Sequence, residues 1–399
     1  MHAKKIVERL LGECLRDQLH AKQAEALVDI VSAALSGEHL SLSRLARGIE
    51  PSTTVRHRIK KVDRFLGNSA VYAQRRALYG DVAQRWLTGV AQLLVVVDWS
   101  DVTADQRWHL LRASVALEGR SVTLYEEIHP QSKYANYDVH RQFLTRLAKL
   151  LPTGSRPIVM TDAGFRSPWF ELVRRRGWQW IGRIRGKDMV QVSERPWRRC
   201  SDMYQEASTQ ARCFEDARYV RSNPIDCRLV LAKRQAKGRR RLGRKGHPCR
   251  GHTSLKSARA AREPWLLACS RDLAHLSPEA IVALYGQRMR IEQSFRDLKN
   301  ERVGQGLSVS RSRSGKRLEM LLLIGHLAAW LMRLVGEAAQ QCQMHLQFQS
   351  VAHLDHREIS VMTLARRIID AGEKWTRRLR TSLAISAINR QARLACCPQ

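Results

Sequence analysis

The sequence predicts an α/β fold, a mixed sheet with helices packed against it. Three observations predict it. Apolar runs of buried-strand length recur at "QLLVVVD" (92–98), "PIVMTD" (157–162), "WQWIGRI" (178–184) and "WLLACS" (265–270). Segments with apolar residues three and four apart lie between and around them. A hydrophobic fraction of 44% in 399 residues is that of a globular chain, long enough for two or three domains.

The N-terminal third is helical. Residues 4–36 carry helical spacing in two segments, with Gly37 as a stop. In "LSLSRLARGIEPSTTVRHRIKKVDRFLG" (40–67), a short amphipathic helix ends near Gly48, and Pro51, Ser52 and Thr53 supply a turn and an N-cap. Over 53–66, Val55, Ile59, Val62 and Leu66 form an apolar stripe, while Arg56, Arg58, Lys60, Lys61 and Arg64 take other positions. A basic second helix of this kind suits a helix-turn-helix-like unit on DNA. A plain helical hairpin with a solvated basic face gives the same pattern. The charge balance favours DNA: 69 Lys and Arg stand against 37 Asp and Glu, a net of +32. Such an excess repels itself unless a polyanion neutralises it.

From residue 91 the period shortens. The run 92–98 ends on Asp98. "WHLLRASVAL" (108–117) and "SVTLYEEI" (121–128) pair as a hairpin across "EGR". A helix over 138–151 precedes 157–162, which ends on Asp162; a helix over 166–176 and the strand 178–184 follow. The order β-β-β-α-β-α-β, with acids closing the first and fourth strands, is the ribonuclease H-like arrangement.

Alternation lapses over 189–264, which reads as an inserted β-rich subdomain. Within it, 233–262 holds twelve Lys or Arg and no acid, a mobile basic loop suited to clamping nucleic acid or merely to solubility. "LEMLLLIGHLAAWLMRLV" (318–335) is broken by Glu319, His326 and Arg333, so it reads as a core helix rather than a membrane span. Glu8 and Glu13 interrupt the N-terminus where a secretory signal needs an apolar run. Nine cysteines without a C-x-x-C pair indicate a reducing, cytoplasmic setting, and His247, Cys249 and His252 lack a second half-site for zinc.

The segment "YGQRMRIEQSFRDLK" (285–299) reads as one helix. At about 100° per residue, Tyr285, Arg288, Glu292 and Lys299 fall within an arc roughly 60° wide, beside an apolar face of Leu284, Ile291, Phe295 and Leu298. Ion pairs on a solvated face would explain that stripe. Glu292, however, joins Asp98 and Asp162. Three carboxylates with no matching His or Cys suit a hard cation, Mg²⁺ or Mn²⁺. Two such ions about 3.5–4 Å apart can activate a hydroxyl and stabilise the leaving oxygen of a phosphoryl transfer.

These residues resemble bacterial cut-and-paste DDE transposases of insertion-sequence family four, and within it the transposon-ten kind most. The similar stretches are "VVVDWSD" (95–101), "LRASVALEGRSVTLYE" (111–126), "TDAGFRSPW" (161–169), "EPWLLAC" (263–269) and 285–299, where Tyr285, Arg288, Glu292 and Lys299 fit every spacing of the family signature. The resemblance implies that Asp98, Asp162 and Glu292 are the catalytic, metal-binding triad, holding two Mg²⁺ with Mn²⁺ as a substitute. It implies that Tyr285, Arg288 and Lys299 grip the transposon-end backbone and that Trp265 stacks on a flipped base. The implied reaction is nicking, hairpin formation, hairpin opening and joining of 3′ ends to target DNA, by a homodimer pairing two terminal repeats.

The implied organisation is a terminal-repeat-binding domain over 1–70, with the catalytic core over 71–188 and 265–340 around the insertion 189–264. A C-terminal helical region, 341–399, is assigned to dimerisation. The protein is placed in the bacterial cytoplasm, on the nucleoid, with no membrane partner. Two other classes fit part of the pattern: a ribonuclease H-like nuclease that cuts without joining, and a DNA-binding regulator derived from a transposase.

Overall fold

Capping and apolar spacing set the N-terminal helices in the computed structural model, which describes residues 2–103, 105–234, 247–249, 251, 252, 254, 255, 258, 262–350 and 357–396. Helices α1 (His2–Gln18) and α2 (Ala21–Leu35) bury Ile6, Leu11 and Leu15 with Leu27, Ile30 and Val31. Gly37 follows them at φ +102, a conformation that favours glycine. Next come α3 (Leu42–Gly48), α4 (Val55–Leu66) and α5 (Ser69–Leu87). Thr54, not Thr53, caps α4 by accepting from the His57 amide, so this helix starts two residues later than the sequence indicated.

Three antiparallel strands follow: β1 (Gln92–Asp101), β2 (Trp108–Ala116) and β3 (Ser121–Pro130), in spatial order β3-β2-β1. Their hairpin turns at Gly119, φ +73. Strand β1 does not stop at Asp98. It keeps pairing with β2 to the register Asp101↔His109, because β2 extends far enough to satisfy its backbone.

Among the described residues the further α-helices and strands are α6 (Tyr137–Leu150), β4 (Arg156–Thr161), α7 (Ser167–Arg174), β5 (Gln179–Ile184), β6 (Met189–Val192), β7 (Arg198–Arg199), β8 (Arg212–Tyr219), β9 (Ile225–Ala232), β10 (Trp265–Cys269), α8 (Pro278–Gly286), α9 (Met289–Lys299), α10 (Gly315–Gln341), α11 (His345–Phe348), α12 (Val361–Asp370), α13 (Glu373–Thr376) and α14 (Thr381–Leu394).

The chain divides into two units. The first comprises Met1–Ser155 and Met289–Cys396. Its three strands share a core with α10, whose Leu321, Leu322, Leu323, Ile324 and Leu327 are buried. Among the described residues α10 alone is long and apolar enough to cross a membrane, yet 94% of its apolar window is buried as core.

The second unit, Arg156–Arg288, holds strands in the order β4-β5-β10-β9-β8-β6-β7. The β4–β5 pair is parallel; β10 is antiparallel to both β5 and β9. The segment 189–264 is thus rich in strands, and they continue this unit's sheet through the β9–β10 pairing. Most of the basic run 233–262 lies outside the described residues. Glycine has a specific use at Gly182 in β5. A Cβ there would stand 2.2 Å from the Phe170 ring of α7, which instead lies against the sheet and stacks on Trp180 at 4.3 Å.

Residues 285–299 are two helices, not one. Helix α8 ends at Gly286, Gln287 and Arg288 form a turn, and α9 begins at Met289. Glycine is the weakest ordinary helix former, and the break falls directly after it. The four signature residues therefore do not share one helical face. Tyr285 and Arg288 belong to the second unit, Glu292 and Lys299 to the first.

Candidate functional site

In the first unit, strand alternation puts Asp98 and Ser100 on one face of β1, and Arg112 of β2 is the cross-strand partner of Asp98. Asp98 is buried, 7% exposed, and its Oδ1 accepts from the Trp99 amide at 2.8 Å. Helix α9 is fastened to the same three strands and their hairpin turn at several points. Lys299 Nζ donates to Ser100 Oγ at 2.8 Å, and Phe295 lies under the Arg112 guanidinium at 5.1 Å. The Ser294 and Ser121 hydroxyls meet at 2.8 Å, and Arg120 Nε donates to Asp297 Oδ2 at 2.6 Å. Glu292 is exposed in the first turn of α9, where the helix dipole favours a carboxylate.

Two charges under this face are held by burial and pairing. Arg112 is 4% exposed and donates from Nε to Glu126 Oε2 at 2.7 Å, while Tyr79 donates to the other Glu126 oxygen at 2.8 Å. Burial holds the Lys299 ammonium below the usual lysine range, although Asp101 and Glu292 act in the opposite sense. Arg112 adds to the lowering.

In the second unit, Asp162 directly follows β4, partly exposed, with Oδ1 accepting from the Gly164 amide at 2.8 Å. This is the local turn bond that aspartates commonly make, and it fixes the carboxylate's direction. Trp265 opens β10. The parallel β4–β5 register and the antiparallel pairing Leu266↔Ile184 bring Trp265 and Asp162 to the same edge of the sheet. One face of the half-buried indole lies beneath the Arg234 guanidinium at 4.6 Å, and Tyr285 meets it edge-on at 4.9 Å. Tyr285 is itself buried, so its ring is a wall for Trp265 rather than an exposed hook. Arg288 is partly exposed in the turn between α8 and α9.

The basic residues of α4 divide. Arg56 and Lys60 are exposed, as a DNA-facing helix needs. Arg58 is buried and donates to the carbonyls of Arg47 and Ile49, satisfying the end of α3. Lys61 pairs with Asp29 of α2, which also takes Lys4 at 2.8 Å. Those two cations brace the helices instead of projecting from them. A buried arginine at the fourth position of a basic helix has no sequence signature that separates it from its neighbours.

Among the described residues, no group of three or more His, Cys, Asp or Glu side chains stands together so as to hold a metal ion. Asp98, Asp162 and Glu292 do offer oxygen donors of the kind a hard divalent cation takes. The eight described cysteines are all free.

Sequence reasoning missed Ser100, Arg112, Glu126 and Arg234. The signal for the Arg112–Glu126 pair was available: a cation and an anion sit inside strands that are buried along most of their length. Charges in such places are paired when buried.

A family model described as the transposase DDE domain matches residues 91–331. That span opens one residue before β1, closes within α10 and contains all three acids. No curated protein matches the chain.

Proposed function

Because this chain belongs to the transposase DDE domain family, we propose that it is a cut-and-paste transposase of insertion-sequence family four, nearest the transposon-ten kind. As a DDE transposase it acts on DNA. The observation that carries the finer reading is the seating of α9 on β1 and β2 through Lys299–Ser100 and Phe295–Arg112, which supports Glu292 acting with Asp98. Family membership and the position of Asp162 at the end of β4 add the third acid. In this reading β1–β5 and β10 with α9 form a ribonuclease H-like core, 189–264 is an insertion, residues 1–70 read the terminal repeats, and 341–399 serves dimerisation.

Asp98, Asp162 and Glu292 would hold the divalent cations, Mg²⁺ or Mn²⁺, which supply charge neutralisation and hydroxyl activation for phosphoryl transfer when bound. The chain's own groups do the rest. Lys299 and Arg288 neutralise backbone phosphates at the transposon end, and exposed Arg56 and Lys60 bring the terminal repeat to the protein. Trp265 receives a base turned out of the stack while the duplex folds back into a hairpin. Nicking, hairpin closure, hairpin opening and strand joining are all phosphoryl transfers, so one set of acids serves them. The working form is a homodimer on two ends, in the cytoplasm and on the nucleoid.

The test is incubation of the purified protein with short duplexes of its element's own ends, a target plasmid and Mg²⁺. Nicked, hairpinned and joined products in that order are expected. Cleavage without hairpins or joining would make it a nuclease, and binding without cleavage a regulator.

A further inference from the structure

A cationic groove of about 630 Å³ lies in the second unit beside the Asp162 loop. Its walls include Arg166 and Ser167 at the start of α7, Lys187 and Asp188 after β5, and Arg221 after β8. Arg166, Lys187 and Arg221 are exposed, and among the described residues that line the groove Asp188 is the one acid. That acid is already engaged: its Oδ2 accepts from the Tyr219 hydroxyl at 2.7 Å, and Arg166 stands 4.0 Å from Oδ1. Arg166 also occupies the N-cap of α7 without capping it. A cation there opposes the helix's own polarity, which favours anions, and the acid it stands near is Asp188.

The location adds to this. Residues 162–166 run directly from β4 into α7, and Lys187 follows β5, the parallel neighbour of β4. The groove therefore opens at the strand ends where Asp162 sits, the edge at which α/β sheets bind their substrates. Its cations are exposed. Contacts of that kind can hold backbone phosphates.

We propose that this groove binds the backbone of target DNA during strand joining. In that reading Arg56 and Lys60 meet the terminal repeat and Arg288 and Lys299 the transposon end, so a further set of cations in a concave wall is left for the target. The assignment rests on the transposase reading above and names the partner for one face of that site.

The test uses the full-length Lys187→Ala/Arg221→Ala variant, since both side chains are exposed and substitutions at such surface positions leave folding essentially unchanged. Nicking and hairpin formation on end duplexes should match wild type, while joining to a supercoiled plasmid should fall about tenfold. Plasmid binding is titrated against salt in parallel. Two lost phosphate contacts lower the log–log slope by about 1.8, so between about 50 and about 200 mM salt wild type should lose roughly tenfold more affinity than the variant. Joining and slope both unchanged would overturn the proposal. Cleavage falling along with joining would overturn it too, placing the element's own end in the groove. Should wild type cleave nothing, the transposase reading fails by itself, and the plasmid slope still judges the groove.

Discussion

Lys299 Nζ donates to Ser100 Oγ at 2.8 Å, fastening the last turn of α9 to β1 two residues beyond Asp98. A lysine that only gripped DNA would project into solvent. Here burial depresses its basicity and a serine fixes its direction, so the protein itself orients the ammonium. The bond also makes α9 and β1 a single mechanical piece.

Ser100→Ala should therefore slow nicking through Lys299. Lys299→Ala should slow it more, and the double variant should be no slower than Lys299→Ala. A coupling of about 1 kcal/mol in the double-mutant cycle is expected for one such hydrogen bond. Strictly multiplicative effects on the nicking rate would show that the two side chains act independently.

Asp98→Asn, Asp162→Asn and Glu292→Gln should each abolish nicking while leaving affinity for end duplexes within about twofold, since binding comes mainly from cations on phosphates. The amides keep the shape of the side chains and remove the charge. Gel-shift affinity and nicking in Mg²⁺ are read on one preparation. Any of the three that nicks near the wild-type rate drops out of the catalytic set.

Trp265→Ala should allow the first nick and impair hairpin closure. Base–aromatic stacking is worth roughly 1–3 kcal/mol, about tenfold or more in rate when lost. An abasic nucleotide at the flipped position removes the unstacking cost and should partly restore hairpin yield. If the indole is instead only a packing partner of Tyr285 and Arg234, both steps fall together with the melting temperature, and the abasic end rescues nothing.

Acid should destabilise the protein through His326. Burial, with the charge of Arg112 adding to it, lowers this imidazole from 6.5 to about 3, and its ring stacks on Tyr79 at 4.5 Å. Between those two values the unfolded chain binds a proton that the folded chain refuses, so stability is complete above pH 6.5 and declines toward pH 3. One such group contributes a slope of about 1.4 kcal/mol per pH unit. His140, lowered by burial to about 4, acts in the same direction. His326→Phe keeps an aromatic ring and should flatten the urea-derived stability profile by about one proton's worth. An unaltered profile would mean that His326 is protonated in the folded state.

Much of this was legible in the residues. The strands carrying Asp98 and near Asp162 declare themselves because short apolar runs, Leu93 to Val97 and Pro157 to Met160, bounded by polar residues, have few other uses. The turn at Gln287–Arg288 did not, because the helical spacing from Leu284 to Lys299 carries straight through it and Gly286 alone marks the break. Asp98 looked terminal because "WSD" reads as loop; its strand character comes from pairing with β2, a partner 14 residues along at Arg112. Charge was the least legible property. Arg58 and Lys61 look like their neighbours in sequence, and only the carbonyls of Arg47 and Ile49 and the carboxylate of Asp29 separate them.

Gly182 has a bearing on how tolerance to substitution would be interpreted here. It pairs in parallel register with Thr161, the residue before Asp162, and the Phe170 ring occupies the space its side chain would need. Even alanine would lift α7 from the strand and drag the short connection that aims the Asp162 carboxylate. In a saturation screen scored by transposition, position 182 should thus look as intolerant as the acids, though it offers no functional group at all. Supplementing Mn²⁺ or raising DNA concentration would not relieve it, whereas trimming Phe170 to leucine in the same gene should. Such suppression identifies a residue selected for the volume it leaves empty.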